Sequence, residues 1–276
     1  MNPAPASLLE LFPDAAFRHR MRFQPGTFAD FFGRTPDHEA LLAQRRHWLA
    51  DDASAYAGAL PEGGALLDEA VPLLRSAEVL DADCPSLLPA EPREKVEALG
   101  RCLEPDFMLL CPDDSGAFRL VAGCVCFPST WSLAEKMGHP LEFIHGVVPE
   151  LNAQLGRSIH AFLAKLPPGE AWQRSNWGLS RSPELNQHPS RRVRRLDATV
   201  ALDEVWLRVE HQVLVRLPET GGVLFGIRLA NHPLAAVQRD AELRRRFRLA
   251  LETMSEAMAE YKNVASARAR LVALLG

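Results

Sequence analysis

Residues 205–217 read VWLRVEHQVLVRL, a nearly unbroken two-residue alternation. Leu207, Val209, His211, Val213, Val215 and Leu217 fall on one side, and Arg208, Glu210, Gln212 and Arg216 on the other. Successive side chains of a strand point to opposite faces, so this run specifies a strand with one face turned inward. PETGG and then VLFGIRL follow, and a glycine-rich turn between two β-favouring runs predicts a long antiparallel hairpin. A second hairpin is expected over residues 107–127, where FMLLCP and FRLVAGCVCF flank the turn sequence DDSG.

Elsewhere the period lengthens. Residues 39–56 put Leu41, Leu42, Arg45, Trp48 and Leu49 on one helical stripe, and GGALLDEAVPLLRSAEVL predicts a second helix, so residues 1 to about 100 read as helices and loops. PELNAQLGRSIHAFLAKL aligns Leu151, Leu155, Ile159, Phe162, Leu163 and Leu166, with Pro149 at its start and PPGE at its end. Residues 234–275, rich in Ala, Arg, Glu and Leu, predict one or two amphipathic closing helices. The order of helices, hairpin, helix, hairpin, helices defines an α+β class with an antiparallel sheet. There is no repeat or linker, so residues 1–276 read as one domain with helical extensions over about 1–100 and about 234–276. Residues 180–195 predict a long exposed loop whose arginine run is solvated or faces a partner.

The 276 residues are 47% hydrophobic and 24% charged, sufficient for a substantial core. Acidic residues outnumber basic ones by 35 to 31, a formal net charge of -4, which argues against nucleic acid as partner. No apolar run approaches the roughly 20 residues of a membrane span. MNPAPASLLELFPDAAFRHRMRF lacks the basic start, apolar centre and cleavage site of a secretory signal. The cysteines, Cys84, Cys102, Cys111, Cys124 and Cys126, form no C-x-x-C pair, and Cys124 and Cys126 share one strand face in poor disulfide geometry. Read as reduced, buried small hydrophobes, they point to the cytoplasm.

No phosphate-binding loop, dinucleotide fingerprint, H-E-x-x-H or G-x-S-x-G occurs, so a nucleotide-driven reaction, a zinc protease and a built-in NAD or flavin domain are all unsupported. Among the histidines, His19, His38, His47, His139 and His188 sit in polar or turn contexts and are expected at the surface. His232 reads as a turn residue and His160 as a helix-boundary residue. His145, in LEFIHGVVP, has an apolar wall and a following helix start. His211 lies on the apolar face of its strand. A neutral imidazole in such a setting suits iron, with a satisfied core histidine as the alternative for both.

The blocks AGCVCFPSTWSLAEKMGHPLEFIHGVVP, QRSNWGL and LRVEHQVLVRLPETGGVLFGIRLANHPL, set in order between about residues 39 and 234, closely resemble the haem-dependent oxidative N-demethylase alpha-subunit-like proteins, a former domain of unknown function. The resemblance implies a PAS-like fold, an antiparallel sheet flanked by helices, carrying haem b. It implies oxidative demethylation of a small secondary amine such as dimethylamine, using dioxygen and releasing formaldehyde. Electrons would come from a separate NADPH-dependent flavin and iron–sulfur reductase subunit. By the same resemblance His145 is the expected axial ligand to iron. Trp131, Asn176, Trp177 and Arg208 are expected at the pocket or the haem propionates, with core packing the alternative for the tryptophans. No catalytic residue is assigned.

Two departures stand out. The family's R-V-E-R-Q is RVEHQ here, so His211 replaces an arginine, which removes a cation or adds a second iron ligand. IHGVVP replaces the more usual I-H-x-P-V-P. Two other readings compete with the monooxygenase: a haem-binding sensor or carrier, with bis-histidine ligation through His211, and a haem-free interaction module.

Overall fold

The computed structural model describes residues 8–276; the first seven residues of the stretch read as carrying no signal lie outside the described residues. Seven strands form one open antiparallel sheet: β1 (Gln24–Gly26), β2 (Ala57–Ala59), β3 (Asp106–Pro112), β4 (Phe118–Cys124), β5 (Ala171–Ser180), β6 (Trp206–Arg216) and β7 (Val223–Pro233), in the order β1-β5-β6-β7-β3-β4-β2. Both expected hairpins are present. The β6–β7 turn is closed by Leu217 N–H donating to Gly222 O at 2.8 Å, with Gly221 at φ 67°, where a side chain would be strained. In the β3–β4 turn, Asp113 Oδ1 accepts from the N–H groups of Ser115 and Ala117.

Three strands go beyond the sequence reading. β1 and β2 are three-residue edges within the stretch expected to be helices and loops. β5 is a ten-residue strand paired along its whole length with β6. Its sequence, AWQRSNWGLS, does not alternate cleanly, because polar residues occupy one of its buried-side faces.

Side chains on the two faces of β6 meet different layers. On one face, Val213 and Val215 pack with Leu49, Leu67 and Leu99 of the N-terminal helices His38–Tyr56, Gly63–Ser76 and Pro92–Gly100. Further along the same face, Leu207 and Val209 pack with Phe12, Trp177 and Phe247 under the C-terminal helices. Those number four rather than one or two: Leu234–Arg239, Ala241–Thr253, Glu256–Tyr261 and Arg268–Leu274. Asp240 and Ser255 each accept backbone N–H groups at a helix start, which breaks the run into short pieces. The opposite face carries a third cluster around Met108, Leu120, Leu214 and Ile227, covered by the helix Leu151–Lys165.

The helix His38–Tyr56 kinks at Asp52 (φ -151°, ψ 87°), whose Oδ1 accepts from Ser54 and Ala55 N–H and restarts the helix. Its expected stripe holds, with Leu42, Arg45 and Leu49 buried. Arg45 donates to Asp106 Oδ1 at 2.5 Å and to Gly100 O at 2.7 Å, while Asp106 also accepts from the N–H groups of Cys126 and Phe127. A buried ion pair persists only when its remaining hydrogen-bonding capacity is met in this way. Cys124 and Cys126 lie beside it with free thiols, their sulfurs 3.7 Å apart.

His38, expected at the surface, is buried between Glu104 (Nδ1 to Oε1, 2.7 Å) and Asp81 (Nε2 to Oδ2, 3.0 Å). Arg228 of β7 reaches the same Glu104, which ties the N-terminal layer to the sheet. His232 is in β7 rather than in a turn. The 180–195 segment is exposed only in part: Asn186 and Gln187 are buried, and Gln187 is hydrogen-bonded through its backbone to Pro128 and Thr130. No helix of the described residues is long and apolar enough to cross a membrane.

Candidate functional site

The helix Leu151–Lys165 leaves its apolar stripe unfinished. Of that stripe only Leu163 is buried within the helix; Leu151, Leu155, Ile159 and Phe162 are half-buried because they face a cavity of about 1180 Å³ between the helix and the sheet. The opposite wall is the even-numbered face of β6, with Arg208, Glu210, Gln212 and Leu214, together with Arg174 and Asn176 of β5 and Phe225 and Ile227 of β7. The alternation that marked β6 as a strand therefore has a polar side that lines the cavity instead of facing solvent. An apolar wall opposite placed polar groups is the usual composition of a small-molecule or cofactor site.

His145 ends the short helix Leu141–His145, which borders the cavity. The approach to that helix is pinned to β4: Leu120 N–H donates to His139 O, and Gly138 N–H to Leu120 O at 2.7 Å. Asn152 Nδ2 donates to Glu142 O, and His160 Nε2 lies 3.3 Å from Glu142 Oε1, which fastens the short helix to the long one. Among the described residues the His145 ring has no hydrogen-bond partner. Burial, then the nearby charges of Arg174 and His160, bring its pKa down to about 4, so the imidazole is neutral at physiological pH. A neutral ring with a free nitrogen lone pair is a competent metal ligand.

Glu210 is the acidic centre of the sheet wall, a position sequence reasoning did not single out. Ser129 Oγ donates to its Oε1 at 2.8 Å, Gln212 Nε2 to its Oε2 at 3.1 Å, and Arg174 Nε to Gln212 Oε1 at 2.7 Å. Each carboxylate oxygen keeps acceptor capacity toward the cavity. Lys262 also borders it, donating to Trp177 O at 2.6 Å and lying over the Trp177 ring. Burial lowers its pKa to about 8, with Glu210 opposing and Arg174 assisting. The signal for Glu210 was a carboxylate in the middle of a strand, visible only once that face was known to be covered.

Five of the six anticipated site residues meet at the cavity: Trp131, His145, Asn176, Trp177 and Arg208. Trp177 is also packed in the C-terminal core against Phe12 and Phe247, so its packing alternative holds as well. Arg208 is spent on the protein itself. It donates to Ser129 Oγ (2.7 Å) and to the carbonyls of Glu184 (3.1 Å), Phe127 (2.8 Å) and Leu185 (2.6 Å), clamping two loops beside the cavity. His211 is not brought to the cavity. The period of two turns it to the other face of β6, where Nδ1 is 2.9 Å from Ser175 Oγ. A bis-histidine pair of His145 and His211 would have to pass through the sheet.

Two histidines expected at the surface border the cavity instead. His19 Nε2 donates to Pro149 O at 2.7 Å. His188 has Nδ1 held by Ser190 and a buried Nε2 with no partner. Arg20 likewise has a buried, unpartnered Nε, and burial followed by the charges of Arg18 and Arg22 lowers its pKa. Buried polar atoms without a partner are rare in folded proteins, and these two leave hydrogen-bonding or ligating capacity for a bound group.

A large, half-apolar cavity with a neutral, unpartnered histidine in its wall and an unsatisfied arginine at its edge fits a big, flat cofactor with acidic substituents. The chain belongs to a family defined by such a cofactor: the model of the haem-dependent oxidative N-demethylase, alpha subunit-like family matches residues 39–272.

Proposed function

We propose that this chain is a haem b-binding oxidative N-demethylase subunit of PAS-like architecture. It would remove a methyl group from a small secondary amine with dioxygen, supplied with electrons by a separate NADPH-dependent flavin and iron–sulfur reductase in the cytoplasm. The observation that carries this reading is His145, neutral and without a partner on the wall of a cavity of about 1180 Å³, in a chain of a haem-dependent family.

In this reading His145 would hold the iron through a ring nitrogen, and Arg20, with its unpartnered Nε, would hold a propionate. When bound, the haem supplies dioxygen activation at its iron. The Leu151–Ile159 stripe keeps water from the reacting carbon. Glu210 binds the cationic amine: its oxygens, fixed by Ser129 and Gln212, accept the ammonium N–H groups and set the methyl toward the helix side. Lys262 Nζ, its pKa brought down to about 8 by burial, takes up or releases a proton at the cavity wall.

A second reading, a haem sensor or carrier without turnover, draws on His188, whose unpartnered Nε2 would let it also hold the iron in place of the anticipated His211. Absorption spectra of the haem-loaded parent, His145→Ala and His188→Ala separate the two. The demethylase reading expects the Soret band to be lost or displaced in His145→Ala alone, and formaldehyde to appear with dimethylamine and a surrogate reductant. A six-coordinate low-spin spectrum that changes in both variants, without formaldehyde, establishes the sensor. A parent that takes up no haem overturns both.

A further inference from the structure

Four large apolar side chains are exposed among the described residues, and two of them line the cavity. Phe143 (54% exposed) and Val147 (58%) flank His145 in sequence, and Val147 and Tyr261 (42%) both border the cavity. The cavity is also lined by arginines from two separate segments, Arg18 and Arg22 ahead of β1, and Arg192 and Arg195 after the 3-10 turn Pro189–Arg191. All four are exposed and all border the cavity. None makes an ion pair among the described residues, whereas Arg194, in their midst, reaches Asp197.

The cavity border holds only three carboxylates, Glu10, Glu135 and Glu210, and the last is engaged inside. In a chain of formal net charge -4 the positive charge is therefore concentrated locally. Uncompensated like charge repels itself, and its natural complement is an anionic surface that it also steers toward contact. Exposed apolar side chains among charged ones are the composition of a transient protein interface.

We propose that this cavity border is the docking surface for the electron donor, an acidic iron–sulfur protein. Its carboxylates would seat on Arg18, Arg22, Arg192 and Arg195, and the edge nearest its cluster against Val147 and Tyr261. The proposal rests on haem occupying the cavity as above. On docking, one electron leaves the reduced cluster, which is oxidised, and ferric iron accepts it to become ferrous; no bond is made or broken.

The probe is a plant-type [2Fe–2S] ferredoxin, an acidic one-electron donor. Haem-loaded parent, Arg192→Glu/Arg195→Glu and Val147→Asp are reduced first with dithionite and then, in a stopped-flow instrument, with reduced ferredoxin at low and high salt. Calorimetric titration with oxidised ferredoxin measures binding to each protein with and without haem. The expected result is equal haem content and equal dithionite reduction. Ferredoxin rate and affinity fall on the order of tenfold in both variants at low salt, and the arginine variant converges with the parent at high salt. Unchanged rates and affinities overturn the proposal, as does loss of haem from the arginine variant, which would assign those arginines to the propionates. If the parent takes no haem, ferredoxin binding that both variants weaken keeps the surface while the haem reading falls; absence of binding removes both.

Discussion

The pKa of His145 sets a testable pH dependence. In the unfolded chain its imidazole titrates near the ordinary value of about 6.5, and in the fold near 4. Between those values the unfolded state binds a proton that the native state does not, so stability falls as pH drops through this window and levels below it. Urea unfolding of the haem-free parent and of His145→Gln should therefore differ with pH: the variant gains on the parent as pH falls from 7.5 to 5. An unchanged difference would mean that the ring is not held neutral by its surroundings. Arg208 makes the complementary prediction. Four of its contacts go to one hydroxyl and three carbonyls on two loops, a spread that a lysine ammonium cannot span from a single point. Arg208→Lys is expected to cost about 3 kcal/mol in urea unfolding.

At the level of elements, what was legible in the sequence depended on what each strand buries. β6 and β7 announced themselves because one face is largely apolar, and the helix Leu151–Lys165 because its stripe is long. β5 did not, because its partners across β6 are Gln212, Glu210 and Arg208 on the cavity side, so Arg174 and Asn176 break the alternation that marks a strand. The same wall hid Glu210: in an isolated strand a glutamate opposite a valine face reads as solvated. β1 and β2, three residues each, carry too little pattern and exist through their pairing with β5 and β4. His211 shows the converse: a motif position suggested the cofactor, while strand parity sends it to the far face. The wall's polarity also makes a prediction. Glu210→Gln should raise KM for dimethylamine at least about tenfold, with a smaller effect on kcat, because the lost contact is charge-assisted and made in the bound substrate. Steady-state formaldehyde release in the haem-loaded protein tests this, and an unchanged KM would remove Glu210 from substrate binding. Where strands cross tightly, packing fixes the residue: a Cβ on Gly226 would lie 2.7 Å from Phe31 Cε1 and 2.9 Å from Val213 Cγ1, so Gly226→Ala is expected to destabilise by roughly 1–3 kcal/mol.

Across the whole molecule, the N-terminal layer is scaffold alone, while the C-terminal layer also reaches the site through Trp177 and Lys262. No residue between Gln24 and Met108 borders the cavity, so the entire N-terminal helical layer contributes nothing to it directly. That layer is nevertheless the largest core cluster, built on Leu67, Leu99 and Phe107 against Val213 and Val215, and its charged seam of His38, Glu104 and Arg228 fixes where β7 lies. Side chains at successive positions of β6 thus do different work: the odd ones hold the N- and C-terminal layers, and the even ones form the site. Leu67→Ala separates the two roles, because Leu67 is fully buried and its truncation removes transfer energy and leaves a cavity worth about 2–5 kcal/mol. The midpoint of urea unfolding should fall accordingly, while the Soret maximum of the haem-loaded protein and its KM for amine stay unchanged in the folded fraction. Had the N-terminal layer instead shaped the cofactor pocket, the Soret band would move with the midpoint, because a shifted strand β6 would carry Glu210 and Gln212 with it.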